Sequence, residues 1–334
     1  MKLPIADAIA LAARVLEASN VSPANARCVA QALVAADADG LPSHGLSRLA
    51  IYAAQAACGK VDGHAVPQVA RRARASVQVD ARDGFAFPAL AAGLALVSQI
   101  VAETGVAALA IANSHHCGVA GHHVEWLAAR GLVGLMFANT PGEIAPWGGS
   151  KASFGTNPVA FAAPRAGKPP LVVDLSLSKV ARGKIMLARQ KGEAIPEGWA
   201  LDRDGAPTTD PDAALAGTML PMGDAKGAAL ALVVEILAAT ITGSHHAYEA
   251  SSFLDAKGPP PRAGQLVLAL DPAAFGGGGF AARIEALLAH MLAQPGTRLP
   301  GDRRLAARLR AQSEGIEVAA EIASRDRAAP GTGH

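Results

Sequence analysis

Apolar residues at Ile5, Ile9, Leu11, Ala12, Val15 and Leu16 recur at helical spacing and predict an amphipathic first helix. The run Ser19-Asn20-Val21-Ser22-Pro23 interrupts the stripe. Ser22 then serves as an N-cap with Pro23 at the first helical position, opening a second helix through Cys28, Ala32 and Val34 to about Asp39-Gly40. Leu41-Pro42-Ser43-His44-Gly45 reads as a turn before a third, short helix that ends near Cys58-Gly59. The alternation in 75–80 predicts a strand. An Ala/Leu-rich helix over 88–104 follows, then a strand over 105–113, a helix over 119–130 and a strand over 131–138. Strands are predicted at 157–163 and 170–175, and the Gly-, Pro- and Asp-rich stretch 190–212 reads as a long ordered loop. A helix over 226–243, a strand over 265–271, a helix over 280–293 and an Arg-rich segment over 302–312 complete the pattern. The tail from Ala328 is expected to fray. Strands and helices interleave, which predicts an α/β protein.

Composition sharpens this picture. The 334 residues, at a usual 100–200 per domain, suggest two domains. We place residues 1–75 with 295–334 in one, helical, domain, and 76–294, with an inserted helical part, in the other. Hydrophobic residues are 51% of the chain, enough for a large core, and charged residues only 17%. A net charge of +2 gives no broad basic field, so nucleic acid is not the expected partner. The three cysteines, Cys28, Cys58 and Cys117, are odd in number and widely spaced, which fits a reducing cytoplasm rather than a disulfide framework. Asp7, Arg14 and Glu17 lie inside the first apolar stripe, so it is not a signal peptide. No stretch of about 18 apolar residues runs free of charge or glycine, so no membrane partner is expected.

Six short stretches carry candidate chemistry. In Ser43-His44-Gly45, with Arg48 and Tyr52 at i+4 and i+8 from His44, an imidazole beside a guanidinium suits a small carboxylate substrate. The same residues also read as a helix cap and a packed histidine. Asn113-Ser114-His115-His116-Cys117-Gly118 lies between a strand and a helix, where open α/β folds place ligands and a helix N-terminus offers N–H groups to phosphate. His115, His116, His122 and His123 have one nearby carboxylate, Glu125, and adjacent histidines share a metal poorly, so no metal is assigned. Gly148-Gly149-Ser150 and Phe154-Gly155-Thr156-Asn157-Pro158 permit close backbone approach to a ligand, or are simple turns. Asp174-Leu175-Ser176 ends a strand, where an acid binds ribose hydroxyls or caps the next helix. Lys226, in Gly223-Asp224-Ala225-Lys226-Gly227, opens a helix against its dipole, which favours a bound anion. Arg298, Arg303, Arg304, Arg308 and Arg310 cluster around one acid, Asp302, as phosphate ligands or as a solvated face. No GxGxxG or GxxxxGK[ST] fingerprint is present.

Taken in order, SHG with Arg48, the HH-C-G turn, GTNP, DLS with its following RGK, PEGWALDRDG, GDAKG with VVEIL, and RLPGDRR resemble the malate/L-lactate dehydrogenase-like family of NAD(P)-dependent oxidoreductases, over about residues 5–320. That family is distinct from the Rossmann-type lactate and malate dehydrogenases. The His115-His116 pair and the stretch EASSFLDAKGPPPRAGQLVLALDP are most similar to its cyclic imino acid reductases. The resemblance implies a mixed, largely antiparallel sheet with flanking helices, a non-Rossmann dinucleotide-binding fold, and a homodimer with the active site near the interface, with 1–75 and 295–334 as the substrate and dimerisation domain and 76–294 as the NAD(P)-binding domain. It implies that His44 is the proton donor, Ser43 its relay, Arg48 the carboxylate anchor and Thr156 a substrate contact. His116, Cys117, Gly118, Val119, Ala120, Asp174, Leu175, Ser176, Lys226, Arg303 and Arg304 would hold the cofactor. One departure stands out: some piperideine-carboxylate reductases carry an Asp in an HGD triplet where this chain has Lys184, in Arg182-Gly183-Lys184. A carboxylate relay through that position is therefore impossible, and a lysine there suits either substrate class.

These features lead us to expect NADPH-dependent reduction of a cyclic imine carboxylate, Δ1-pyrroline-2-carboxylate or Δ1-piperideine-2-carboxylate. A second reading is oxidation of a small 2-hydroxy acid (malate, lactate or ureidoglycolate), the hydroxyl proton passing to His44 or His116. A third is an inactive binding protein on the same fold. NADPH is expected over NADH because Arg303 or Arg304 can meet the 2′-phosphate, although Asp174 alone would favour NADH.

Overall fold

The computed structural model describes residues 1–322, and the tail expected to fray from Ala328 lies outside them. Its centre is a seven-stranded sheet. In chain order the strands are β1 (Gln68–Ala73), β2 (Ser76–Asp80), β3 (Val106–Ser114), β4 (Val133–Ala138), β5 (Val159–Arg165), β6 (Lys168–Leu175) and β7 (Ala263–Leu270). They lie in the order β1-β2-β3-β7-β4-β5-β6. Only β2 and β3 run parallel; every other neighbouring pair is antiparallel. The sheet is thus mixed and largely antiparallel, as the resemblance implied, with no doubly wound parallel core.

Among the described residues the principal helices are α1 (Ile5–Glu17), α2 (Pro23–Ala38), α3 (Leu49–Ala57), α4 (Ala86–Thr104), α5 (Ala120–Ala128), α6 (Arg182–Lys191), α7 (Ala225–Glu235), α8 (Phe280–Leu292) and α9 (Asp302–Glu314). Ser22 caps α2 by accepting the Asn25 N–H, with Pro23 at the first position. Side-chain alternation on β4 shows how the sheet is covered: Met136 and Ala138 join the core made with α4 and α5, whereas Phe137 turns to Ala231, Val234 and Ala238 of α7 and the π-helical turn that follows it. Covered on both faces, β7 reads as an almost continuous apolar run. Gly264 is required there, since a Cβ would collide with the Ala238 carbonyl. A second core joins α1, α2 and α3 to Phe85, Phe87, Ile316 and Val318. By length and composition α4 would cross a bilayer, yet Leu90, Gly93, Leu94, Val97, Ile100 and Val101 are buried against the protein, as in a core helix.

Several expectations are corrected. The stretch 190–212 is for the most part an ordered loop, as expected, but it holds short regular pieces that the sequence did not show: α6 runs to Lys191, and Ala200–Leu201 pairs with Pro207–Thr208 and Thr218–Met219 around a small core of Ile144, Val180, Ile185 and Ile195. Two-residue strands carry no readable periodicity. The helix expected over 226–243 widens into a π-helical turn over Ile236–Thr240. β1, a polar edge strand, shows too little alternation to be read, as does Lys2–Leu3, which pairs with Ile316–Glu317.

Candidate active site

The Ser43-His44-Gly45 turn is built from the end of α2. Asp37 Oδ2 accepts the Leu46 N–H at 2.7 Å, and a Cβ on Gly45 would collide with the Asp37 carboxylate. Two separate 3₁₀ turns, Pro42–His44 and Leu46–Arg48, result, with Gly45 between them. The expected helical i+4 relation of His44 to Arg48 is therefore corrected: the regular helix begins only at Leu49. The chemistry is still brought together. Ser43 Oγ lies 3.0 Å from His44 Nδ1, and Arg48 Nε donates to the Ser43 carbonyl at 2.7 Å. The terminal nitrogens of Arg48 have no protein partner among the described residues, so the guanidinium is held by its Nε with its fork available to a carboxylate.

The end of β3 delivers His115 and His116 beside this turn. Tyr52, buried on α3, places its hydroxyl 2.6 Å from His116 Nδ1. The His116 ring stacks on His44, centroids 5.5 Å apart at 27°, and Phe253 lies 5.2 Å from it. His115 is instead enclosed by Tyr52, Phe85 and Phe253, both ring nitrogens buried without a partner. His122 pairs with Asp39 at 2.8 Å, and His123 Nε2 donates to the Cys117 carbonyl at 2.9 Å. The four histidines thus point to four different places. Burial, then the positive charges of Arg48 and His122, lowers His44 to about 4. Burial, then Arg48, His44 and His115, holds His116 well below the usual imidazole range. Both rings are neutral near pH 7. Burial pushes the Cys117 thiol up to about 12, so Cys117 is a packing residue and not a thiolate nucleophile.

The stretches expected to hold the cofactor converge at the N-terminus of α5. Asp174, at the end of β6, accepts the Gly121 N–H at 2.7 Å. Gly301, in the turn before α9, packs close to the Val172 carbonyl of the same strand. This brings Gly118, Val119, Ala120, Asp174 and the Arg303-Arg304 region into one neighbourhood. The arginines differ from one another. Arg304 Nη1 bonds Asp39 at 3.1 Å and Glu125 at 2.7 Å, leaving Nη2 buried without a partner; Arg308 bonds the same two carboxylates; Arg303 is exposed. The expectation of Arg304 as a free phosphate ligand is corrected to this extent: two internal carboxylates take one of its nitrogens. A cavity of about 460 Å³ adjoins this network, lined among others by Ile9, Ala35, Phe87, Cys117, Val119 and His122. Neither His44 nor Arg48 lines it, so it is not the reaction site itself.

Thr156 N–H donates to Thr140 Oγ1 at 2.9 Å, and the Thr156 carbonyl accepts from Leu177, whose own carbonyl accepts from Met222. Thr156, Leu175-Ser176 and the turn leading to Lys226 are thereby adjacent. Lys226 and Lys184 are exposed on the first turns of α7 and α6. Among the described residues no hydrogen bond or ion pair ties Lys184 to the His44 cluster; its neighbour Arg182 reaches Glu143 at 3.3 Å. Asp37, Asp39, Glu143 and Glu235 went unread in the sequence, where isolated acids inside or beside helices carry no signal.

A relative from Chromohalobacter salexigens, named (2R)-3-sulfolactate dehydrogenase (NADP(+)), is 53% identical over 98% of this chain and 97% of its own length. A Δ1-pyrroline-2-carboxylate/Δ1-piperideine-2-carboxylate reductase from Pseudomonas putida is 42% identical over 95% of this chain and 94% of its own. The solved structure of the Δ1-piperideine-2-carboxylate reductase from Pseudomonas syringae pv. tomato superposes with a TM-score of 0.93 at 40% identity, covering 98% of this chain and 99% of that one. The family model described as malate/L-lactate dehydrogenase matches residues 3–325, and this chain belongs to that family of oxidoreductases.

Proposed function

We propose that the protein is an NADP(H)-dependent dehydrogenase of a small, doubly anionic 2-hydroxy acid of the 3-sulfolactate type, interconverting it with the corresponding 2-oxo acid. The observation that carries this reading is the 53% identity to the sulfolactate enzyme across nearly the whole of both chains. The order of substrates expected from sequence, cyclic imine first, is thereby reversed. Reduction of a cyclic imine carboxylate remains the second reading, favoured by the TM-score of 0.93 to a piperideine-carboxylate reductase.

The residues near α5 fit a phosphate-bearing dinucleotide. Arg304 Nη2 is a buried donor without a partner, Arg303 is free at the surface, and Asp174 stands where a ribose hydroxyl can be met. These residues with Lys226 would hold NADP(H), which when bound supplies the hydride acceptor or donor. Arg48 takes the substrate carboxylate with its two free nitrogens. His44, neutral in the free enzyme and oriented by Ser43, accepts the substrate's 2-hydroxyl proton during oxidation and returns it during reduction. A carboxylate on Arg48 offsets one of the charges that depress His44, so substrate binding strengthens it as a base.

The test is a pair of assays at equal cofactor concentration: NADP(+) reduction with (2R)-3-sulfolactate, and NADPH oxidation with Δ1-pyrroline-2-carboxylate. At least a tenfold higher kcat/KM for sulfolactate, about 1.4 kcal/mol of discrimination, is expected. The reverse ratio would establish the imine reading. We also propose a homodimer through the face of α7 and the turn after it, where Leu230, Leu232, Val233, Ile236 and Ile241 are each 40–58% exposed with no charge among them. Light scattering should give twice the 33.7 kDa chain mass, and Val233→Glu should give the monomer.

A further inference from the structure

Among the described residues the ring nitrogens of His116 have a single hydrogen-bond partner, the Tyr52 hydroxyl, 2.6 Å from Nδ1. Tyr52 is fully buried, and this contact is its one hydrogen bond among the described residues. That geometry determines which way the bond runs. A proton on Nδ1 would make the phenol an acceptor and leave its own O–H buried with no acceptor, a penalty of about 1–3 kcal/mol. With the phenol donating, Nδ1 accepts and the imidazole proton sits on Nε2. The imidazolium form, with protons on both nitrogens, is excluded by burial and by the neighbouring Arg48 charge. Tyr52 itself stays a phenol, because burial raises it above its usual value.

The other nitrogen is differently placed. Both ring nitrogens of neighbouring His115 are sealed and partnerless, but Nε2 of His116 is not among the sealed atoms and has no protein partner. The ring lies between His44 and Phe253, at centroid distances of 5.5 and 5.2 Å. We propose that Tyr52 is a positioning residue that locks His116 in the Nε2–H form, so that His116 is a fixed hydrogen-bond donor to substrate or cofactor and His44 alone exchanges the proton. Of the two proton acceptors open at the level of sequence, this selects His44: an Nε2–H cannot take a hydroxyl proton, and Nδ1 is occupied by Tyr52. The inference uses the same site as the proposed function but holds for either substrate class.

The experiment is ¹⁵N NMR of protein labelled at histidine, with His116 assigned by its loss in His116→Gln. Wild type is expected to show a pyridine-type Nδ1 and a pyrrole-type Nε2 for His116. Tyr52→Phe, which removes only the hydroxyl, should abolish that fixed pattern and raise KM about 3–10-fold, the worth of one oriented hydrogen bond. It should leave the pH profile of kcat/KM, which His44 sets, in place. As a second arm, His116→Gln, whose amide nitrogen can occupy the Nε2 position, should keep more activity than His116→Asn, whose amide nitrogen can occupy only the Nδ1 position. A pyrrole-type Nδ1 in wild type, an unmoved pattern in Tyr52→Phe, or an Asn variant as active as the Gln variant would overturn the proposal. None of these readouts depends on which substrate proves to be the natural one.

Discussion

Glu235 is buried on α7 with no cation beside it, and three donors converge on it: Asn139 Nδ2 at 3.3 Å, Ala247 N–H at 2.7 Å and Asn157 Nδ2 at 2.8 Å. Asn157 holds a left-handed backbone, φ 39°, immediately after Thr156. Glu235 therefore secures the turn that carries Thr156. Glu235→Ala leaves the Ala247 N–H without an acceptor, and strips one N–H each from the amides of Asn139 and Asn157, whose other N–H groups keep the His245 and Ala231 carbonyls; each orphaned N–H costs about 1–3 kcal/mol. We expect a loss of at least about 3 kcal/mol in urea denaturation, together with a raised substrate KM, while Glu235→Gln falls between the two. An alanine variant as stable as wild type would show that Glu235 is not what holds this turn. VVEIL was visible as a motif, but its glutamate had no readable role, because its partners lie 12, 78 and 96 residues away.

At the scale of elements, α9 is tied to α2 and α5 by charge. Arg308 bonds Asp39 at 2.7 and 2.8 Å and Glu125 at 3.0 and 2.9 Å, with Arg304 and His122 on the same carboxylates. Burial alone would raise Asp39, but bonds from Arg308 and His122 outweigh it and hold the carboxyl well below its usual range. Asp39 is 1% exposed at its side chain, so this is no solvated surface pair. Arg308→Ala is expected to lower stability by about 1–3 kcal/mol in chemical denaturation. Arg303→Ala, with no partner to lose, should stay within about 0.5 kcal/mol of wild type. Equal effects would mean that the network contributes nothing beyond a solvated helix face. The sequence showed a cluster of arginines here; which were solvated and which aimed inward depended on α2 and α5 packing beneath α9.

For the whole molecule, buried neutral histidines set the acid limit. Histidines of the unfolded chain titrate near 6.5. In the fold, burial is the largest cause that lowers His44 and His123 to about 4 and His115 to about 3, with His116 also well below its ordinary value. Each folded value is depressed, so its contribution to stability is present above pH 6.5 and is lost as pH falls through the folded value. Each group adds a slope of up to about 1.4 kcal/mol per pH unit, less for half-buried His44. Asp37 acts oppositely: burial raises it to about 6, so its contribution is present below about 3.8 and lost as pH rises. Glu143 and Asp174, which burial also raises, act in the same sense as Asp37, and the four histidines outweigh these three carboxyls in this window. The urea midpoint should therefore fall steeply between pH 6.5 and 4; a midpoint that rose on acidification would refute the neutral-histidine description.

The chain alone determined whatever depends on near neighbours along it. Helical stripes, the Ser22-Pro23 start, the alternation in 76–80 and the apolar run of β7 were readable because propensity and periodicity act over a few residues. Ser43, His44 and Arg48 were readable for the same reason, since no more than five positions separate them along the chain. Tertiary structure decided what depends on contacts distant in sequence. It placed Tyr52 against His116 across 64 residues and Asp39 against Arg308 across 269. It also sealed His115 away from the site that its neighbour His116 faces. A histidine's tautomer and charge, and an arginine's freedom to meet a phosphate, follow from burial and from the partner opposite, and neither exists until the chain has folded.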